Sequence, residues 1–341
     1  MAKVREFGVG FESPHAREFV AHARRAEELG FGTLWIPEDP FYRGAFTLGS
    51  AVACGTSKIK IGLGVVNPYL RHPALTAMEF AALDEVSDGR AILGIGAGLK
   101  DWIEGRLKIP YTKPTAAMRE CIEIIRRFLR GEEVTYSGKV FQTERIKLSF
   151  KPPRAEIPIH LGVIGPKNCE LTGEVADGLL LSVMSSPAYV KFAVDHVRRG
   201  LAKSGRDARE FPVGAYILSS ISEDERAARD RLRPLVAFFI SLMAPQPTTP
   251  IFATAGLPAE TIRAFGDIFA RGKVPTDMVT DEMLDTFTIA GSPARCRENL
   301  SRLLEAGITA PVFFEVPGVP PQQTMDDAHR HLLPYFSTGS V

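Results

Sequence analysis

The sequence has few cysteines, and they are far apart. Only four occur among its 341 residues, and no two of them form a CxxC pair: Cys54, Cys121, Cys169 and Cys296. This spacing argues against a zinc ribbon or a disulfide framework and fits a reducing compartment. An excess of charge of one sign is also absent, since 41 basic and 40 acidic residues leave a net charge of +1. We therefore expect neither a nucleic acid nor an anionic membrane as a partner.

Long apolar stretches are missing as well. No apolar run reaches about 18 residues, which is the length that a membrane-spanning helix needs. The first residues, MAKVREFGVGF, lack the apolar segment of a signal peptide. These absences predict a cytoplasmic protein.

Motifs for hydrolysis and for metal binding are also absent. The sequence has no GxSxG elbow and no Cys/His pair, and its seven histidines show no metal-ligand spacing, so we expect no metal site. His72, directly before Pro73, has two interpretations, a helix cap or a substrate contact. His160 alternates with apolar residues in IPIHLGV and is predicted to be packed or hydrogen-bonded rather than catalytic.

What the sequence does contain is a repeated alternation of short apolar runs and segments with helical periodicity. About eight such units follow one another, for example a predicted strand at 58–66 before a predicted helix at 73–86. Apolar strands that each precede a helix predict a parallel sheet. Eight units favour a (β/α)8 TIM barrel of the α/β class, with an open doubly wound sheet as the alternative. We expect one domain over residues 1–341, with insertions around 132–157 and 244–290.

Glycines are concentrated at the ends of predicted strands, where the active sites of such barrels lie. The segments are 64–68 (GVVNP), 94–98 (GIGAG) and 162–167 (GVIGPK). Glycine lets a flat ligand or a phosphate approach the main chain, although such glycines can also simply turn the chain at the rim. The spacing in GIGAG matches the nicotinamide fingerprint G-x-G-x-x-G poorly.

Charged residues at these strand ends suggest two kinds of site. The segment 162–167 leads into a predicted helix, whose start offers free N–H groups and a positive dipole end to an anion. Lys167 is poorly placed for the dipole of its own helix, so we predict an anion partner there. Glu12, Glu38 and Asp39 follow the first two strands and are either acid/base candidates or solvated loop carboxylates.

Five segments carry a resemblance to a known family. They are LWIPEDPFYR (34–43), TSKIKIGLGVVNPYLRHPALTAMEFAALDEVSDGRAILGIGAG (56–98), MRECIEIIRRFLRGEEVTYSGKVFQ (118–142), PIHLGVIGPKNCELTGEVADGLLLS (158–182) and IAGSPARCRENLSRLLEAGI (289–308). Over nearly its whole length the sequence resembles the bacterial luciferase-like superfamily. Within it, the sequence is most similar to the deazaflavin-dependent branch that includes methylenetetrahydromethanopterin reductase.

The resemblance implies a luciferase-like (β/α)8 barrel that binds coenzyme F420, or FMN in sister branches, at the carboxyl ends of the strands. It also implies a bulge in the third strand, with a non-prolyl cis peptide at Gly64-Val65, behind the cofactor ring. The side chain of Asn67 would then form a hydrogen bond near the cofactor ring, and the edge of that ring would lie against Gly96, Ala97 and Gly98. The cofactor phosphate would lie on the main chain of Gly162, Val163, Gly165, Pro166 and Lys167.

The sequence departs from the methanopterin reductase at two positions. That enzyme has a glutamate where this chain has Gly10, and an aspartate where this chain has Leu99. Glu12 and Asp101, each two residues further on, could substitute, but a different substrate is the simpler interpretation. Many deazaflavin enzymes keep Asp-His after the second strand, whereas this chain has Glu38-Asp39. The catalytic candidates are therefore Glu12, Glu38, Asp39 and Asp101.

These observations predict an F420-dependent oxidoreductase that transfers a hydride between the deazaflavin and a small organic substrate. The alternatives are an FMN-dependent luciferase-like monooxygenase and a non-catalytic flavin-binding relative. The insertion at 244–290, with the apolar Phe238 and Phe239 before it, is expected to cover the substrate mouth or to form a dimer surface. We expect a homodimer or a higher homo-oligomer.

Overall fold

A closed barrel of parallel strands forms the centre of the computed structural model, which describes residues 4–12 and 15–336. Hydrogen bonds join eight strands in chain order, and the last of them pairs with the first to close the barrel. These strands are β1 (Gly8–Gly10), β2 (Thr33–Ile36), β3 (Lys60–Val66), β4 (Ala91–Ile95), β7 (Ile159–Leu161), β8 (Gly178–Leu181), β9 (Val213–Ile221) and β11 (Ala310–Phe314). The predicted (β/α)8 barrel is confirmed.

Helices follow the barrel strands and cover their outer faces. They are α1 (Ala16–Glu28), α2 (Ala45–Gly55), α3 (Pro73–Val86), α4 (Pro114–Leu129), α5 (Pro166–Val175), α6 (Pro187–Lys203), α7 (Glu225–Met243), α8 (Pro250–Thr254), α9 (Ala259–Phe269), α10 (Asp281–Phe287), α11 (Pro293–Ala306) and α12 (Pro321–His331). His72 caps α3, because its Nδ1 accepts a hydrogen bond from the Ala74 N–H at 3.2 Å. Within the ranges 4–12 and 15–336, no helix is long and apolar enough to cross a membrane.

The side chain of Trp35 fills the middle of the barrel, and glycines around it make room for the indole ring. Trp35 is buried, and a Cβ on Gly62 or Gly64 would meet atoms of its ring. The imidazole of His160 lies over Gly178 in the same way, with its ring centroid 5.5 Å from that of Trp35. TIM barrels are filled by side chains in this manner, and His160 is packed as predicted.

The segment 132–157 contains an antiparallel hairpin of strands β5 (Val134–Ser137) and β6 (Gln142–Ile146). Glu120 of α4 holds the turn, since its carboxylate accepts hydrogen bonds from the N–H groups of Lys139 at 2.7 Å and of Val140 and Phe141 at 3.0 Å. Hydrogen bonds to a charged group are the stronger kind, so this one side chain fixes the hairpin against the barrel helix.

The segment 244–290 has more regular structure than the sequence predicts. It was predicted only as an insertion, whereas the structure has the helices α8, α9 and α10 there, followed by a further strand, β10 (Thr288–Gly291). Because α8 has five residues and α10 has seven, neither is long enough to show a clear helical period. Strand β10 pairs with the last residues of β9.

Helices α5 and α6 cross at two glycines, and this crossing fixes where α5 begins. A Cβ on Gly200 would overlap the main chain of Glu170, and a Cβ on Gly173 would overlap the carbonyl of Val197. The two backbones can approach this closely only because neither glycine has a side chain. The crossing therefore also positions the loop that precedes α5.

Replacing Gly200 by alanine is expected to destabilise the fold by about 1–3 kcal/mol, which is the usual cost of an overpacked contact. Helix propensity alone predicts the opposite, a gain of about 1 kcal/mol. Urea denaturation distinguishes these two expectations, because an overpacked contact lowers the midpoint of unfolding and a gain in helix propensity raises it. Gly165→Ala is the control, because a Cβ there meets no atom within 4 Å. A higher midpoint for Gly200→Ala would contradict the close crossing.

Candidate active site

A cavity of about 900 Å³ opens at the carboxyl ends of the barrel strands. This is where TIM-barrel enzymes have their active sites, and the volume is within the range of about 300–1,000 Å³ that is usual for ligand pockets. Most of the residues singled out in the sequence line it: Glu12, Glu38, Asp39, Gly64, Val65, Asn67, Ala97, Gly98, Gly162, Val163 and Gly165.

Three carboxyl groups come together on one side of this cavity. Glu12 follows β1, Asp39 follows β2 and Glu315 follows β11, and these three strands are neighbours in the barrel. The carboxyl groups of Glu12 and Asp39 are hydrogen-bonded to each other. The main-chain N–H of Glu12 donates to Glu315 Oε1 at 2.6 Å. Glu315 is not among the residues predicted for the site, because only the closure of β11 onto β1 brings it to Glu12.

The surroundings of this carboxyl cluster favour a bound proton. Burial, and then the neighbouring Asp39 carboxylate, raise the pKa of Glu12 to about 8. Burial raises the pKa of Asp39 and that of Glu315 as well. Two adjacent carboxyl groups in a buried site share one proton, so the Glu12–Asp39 pair keeps a proton at neutral pH. With that proton the pair can act as an acid towards the cavity.

Glu38 also lines the cavity, but it is held by a cation. Its Oε1 lies 3.2 Å from Arg71 Nη1, and the Arg71 guanidinium lies 4.6 Å from the centroid of the Phe46 ring. Burial raises the pKa of Glu38, while the charge of Arg71 opposes this rise. The ion pair makes Glu38 a poorer proton donor than Glu12.

Asp101 does not reach the cavity. It begins a π-helix, Asp101–Arg106, and its side chain is 71% exposed and pairs with Arg106 at 3.2 Å. The next two residues, Trp102 and Ile103, line the cavity instead. Because the π-helix directs position 101 to solvent, the structure does not bring Asp101 together with the other catalytic candidates.

The glycines expected to contact a cofactor mostly make room for the protein's own side chains. A Cβ on Gly96 would lie 2.5 Å from Val65 Cγ2, and a Cβ on Gly162 would lie 2.6 Å from Val65 Cγ1. A Cβ on Gly64 would lie 2.6 Å from the hydroxyl oxygen of Tyr216. The Gly64-Val65 peptide is cis, as the resemblance implied. The side chain of Val65 thus occupies the gap between β4 and β7, and Gly96 does not line the cavity.

Asn67 joins the ends of β3 and β4. Its buried amide donates from Nδ2 to the carbonyl of Ala97 at 2.7 Å, and its Oδ1 accepts from the N–H of Tyr69 at 2.8 Å. Gly98 has a φ of +70°, and a Cβ there would overlap the Asn67 amide. Asn67, Ala97 and Gly98 therefore form one hydrogen-bonded wall of the cavity.

The loop after β7 leaves its main chain open to a ligand. Gly165, the residue before α5, faces open space, and no side chain caps this helix. A helix start without a side-chain cap offers N–H groups to an anion. Val163 and Gly165 line the cavity, whereas Pro166 and Lys167 are exposed in the first turn of α5 and lie outside its lining.

Tyr216 lines the cavity but is not among the residues predicted for the site. Its hydroxyl donates to the carbonyl of Gly64 at 2.9 Å. A Cβ on Gly10 would lie 2.9 Å from the Tyr216 ring and 3.0 Å from the ring of Phe314. Two aromatic rings thus fill the space at the position where the resemblance places a glutamate in the methanopterin reductase. A single tyrosine in the apolar run of β9 is the signal that could have found it.

The segment at the end of α7 covers one side of the cavity, as expected from its apolar residues. Phe238, Phe239 and Leu242 line this side, together with residues 245–250. An apolar wall of this kind excludes water from the polar floor and strengthens the electrostatic interactions there.

The barrel, the cavity at its strand ends and the protonated carboxyl cluster define an enzyme of the TIM-barrel class. The chain matches the family profile of the luciferase-like monooxygenases over residues 4–310 and belongs to that family. It is an oxidoreductase.

Similar proteins cover nearly the whole chain. The sequence is 35% identical to 5,10-methylenetetrahydromethanopterin reductase of Archaeoglobus fulgidus over 323 residues, which are 93% of this chain and 95% of that protein. It is 36% identical to the reductase of the same name from Methanolobus tindarius over 307 residues, 89% and 92% of the two chains. The structure of coenzyme F420 dependent tetrahydromethanopterin reductase from Methanopyrus kandleri superposes with a TM-score of 0.88, at 28% identity over 98% of this chain and 100% of that one.

Proposed function

We propose that this protein is an F420-dependent oxidoreductase that transfers a hydride between the deazaflavin and a small organic substrate. The observation that carries the proposal is the protonated Glu12–Asp39 pair, which lies in the same cavity as the open main chain of the loop before α5. The similarity to reductases that use coenzyme F420 supports the choice of cofactor.

The residues present fit a flat cofactor with an anionic tail. The wall of Asn67, Ala97 and Gly98 and the bulge at Gly64-Val65 would hold the ring, and the main chain at 163–165 would hold the phosphate. When bound, the cofactor supplies or accepts the hydride. The protein positions both reactants and excludes water.

The carboxyl cluster supplies the proton that accompanies reduction of the substrate. Glu12 donates it to the substrate and becomes a carboxylate beside Asp39, and the repulsion between the two carboxylates then favours uptake of a new proton from solvent. Glu315 orients Glu12 through the main-chain N–H. In the direction of substrate oxidation the same pair accepts a proton, by microscopic reversibility.

The substrate is proposed to differ from that of the methanopterin reductases. The space at Gly10 is filled by the rings of Tyr216 and Phe314, and Leu99 lines the cavity where the resemblance places an aspartate. Both changes remove a carboxylate and make the substrate side more apolar. The predicted homodimer and the predicted cytoplasmic location stay predictions.

Cofactor titration tests the proposal. We expect F420 to bind with a micromolar or lower Kd, measured through quenching of its fluorescence, and FMN to bind at least about 10-fold more weakly, a difference of about 1.4 kcal/mol. The variant Gly165→Leu adds a side chain in open space on the 163–165 loop, where the cofactor phosphate would lie. It should lower F420 affinity without loss of stability, and Gly165→Ala is the control with a smaller side chain.

Tighter binding of FMN than of F420 would favour the monooxygenase. Binding of F420 without turnover of any reducible carbonyl or imine substrate would favour the non-catalytic alternative.

A further inference from the structure

The two sides of the active-site cavity differ in charge. The carboxyl cluster of Glu12, Asp39 and Glu315 follows β1, β2 and β11, which are neighbours in the barrel, whereas the uncapped start of α5 follows β7, three strands beyond β2. One side is therefore acidic, and the other offers N–H groups to an anion. The proposed cofactor places its phosphate on the second side, so the substrate lies on the acidic side, next to its proton donor.

The acidic side carries negative charge at neutral pH. The charges of Asp39 and Glu315 both help to raise the pKa of Glu12, so the cluster stays negative even while the Glu12–Asp39 pair keeps one proton. Among the described residues, 4–12 and 15–336, none that lines the cavity is a lysine, an arginine or a histidine. Arg71, outside the lining, is already paired with Glu38 at 3.2 Å. An anionic substrate would therefore be repelled without finding a cation to pair with.

A cationic substrate is disfavoured for a different reason. A positive group next to the Glu12–Asp39 pair would stabilise the ionised carboxylates and so lower the pKa of Glu12. The pair would then lose to solvent the proton that the proposed reaction needs. The substrate must therefore be uncharged where it meets the pair, and it must present an acceptor atom that can take the proton.

Aromatic side chains surround the acidic side. Tyr216 of β9 and Phe314 of β11 meet edge to face, with ring centroids 5.1 Å apart, and both line the cavity. Phe238 and Phe239 line it from the end of α7, which follows β9. Tyr42 lines it from the loop after β2 and is 59% exposed. Because aromatic rings pack favourably against the faces and edges of other rings, this lining favours a flat aromatic ligand.

We propose that the substrate is an uncharged compound with an aromatic body and one acceptor atom, a carbonyl oxygen or an imine nitrogen, which lies against the Glu12–Asp39 pair. This inference rests on the proposed function, because it takes the reduced cofactor as the hydride donor. A hydride adds to the carbonyl or imine carbon, and the π electron pair moves to the oxygen or nitrogen. The proton of the pair then completes an O–H or N–H bond, so the substrate is reduced and the cofactor is oxidised. Tyr42 contacts the aromatic body at the cavity mouth.

Ligand-detected NMR on the F420-loaded protein tests the proposal with three probes: benzamide, benzoate and acetamide. Benzamide and benzoate have nearly the same shape and differ in charge, and acetamide keeps the acceptor oxygen of benzamide but lacks the ring. We expect benzamide to bind at least about 10-fold more tightly than either of the other two.

Two variants separate the effect of charge from that of the ring. The double variant Glu12→Gln, Asp39→Asn removes the negative charge whichever carboxyl group carries it, so benzoate should gain about 10-fold in affinity while benzamide changes less than about 2-fold. Tyr42→Ala should weaken benzamide about 5–10-fold and leave acetamide unchanged. Tyr335→Ala is the matched control, because Tyr335 is 55% exposed and lies outside the cavity lining.

Several results would overturn the substrate class. They are absence of benzamide binding at millimolar concentration, binding of benzoate or acetamide as tight as that of benzamide, and an unchanged benzoate affinity in the double variant. The comparison of probes on the wild-type protein decides the question even if the double variant fails to fold. F420 fluorescence reports cofactor loading in the same samples. Failure of F420 to bind would overturn the proposed function as well, whereas a loaded protein that prefers benzoate would overturn the substrate class alone.

Discussion

Replacing Glu12 by glutamine is expected to lower kcat for substrate reduction by about 10²–10⁴-fold, the usual contribution of a positioned general acid. Glutamine keeps the shape of the side chain and the main-chain bond to Glu315, but it has no proton to give. Stopped-flow oxidation of the reduced cofactor by substrate measures the loss. Glu38→Gln is the matched control, because the Glu38 carboxylate is engaged by Arg71, and its effect should stay below about 10-fold.

The pH profile separates a proton donor from a merely structural carboxylate. Since the pKa of Glu12 is raised to about 8, the active form is protonated, and kcat for reduction should fall as pH rises through that value. The basic limb should disappear in Glu12→Gln. In Asp39→Asn, loss of the neighbouring negative charge lowers the pKa of Glu12, so the limb should move to lower pH. An unchanged profile in both variants would remove Glu12 from the mechanism.

Periodicity predicted the barrel because its long elements repeat their pattern several times. Helix α3 was predicted at its observed bounds, 73–86, and Pro73 is its first residue. The short elements were not predictable in this way. The five residues of α8 complete little more than one helical turn, and β10 lies in a segment whose prolines dominate the local pattern.

The candidate site was predictable only in part, because its key contacts join distant positions. The sequence places Glu12 and Asp39 at strand ends, but Glu315 lies 303 residues from Glu12 and meets it only where the barrel closes. Asp101 was predicted as a catalytic residue because it lies two residues beyond Leu99. The π-helix that turns it outward has no sequence signal of its own.

The glycines of β3 show how one pattern fits two structural causes. From the sequence alone, the missing side chains of these glycines could make room for a cofactor or for another side chain of the protein. Gly62 and Gly64 both face the indole of Trp35, which comes from the neighbouring strand β2. The pattern in one strand is therefore explained by a single large residue in another, and the pairing of the two strands has to be known before this cause can be recognised.

Trp35→Ala is expected to destabilise the fold by about 3–5 kcal/mol, since it empties the centre of the barrel beneath the cavity wall. A double-mutant cycle with Gly62→Ala then tests whether position 62 needs glycine in order to make room for the indole ring of Trp35. With Trp35 present, the new methyl group overlaps the indole and should cost about 1–3 kcal/mol. With Trp35 removed, the same methyl group enters empty space, so its cost should vanish or become a gain. Denaturant unfolding of the four proteins measures the coupling. An equal cost of Gly62→Ala in both backgrounds would mean that the strand needs glycine for another reason.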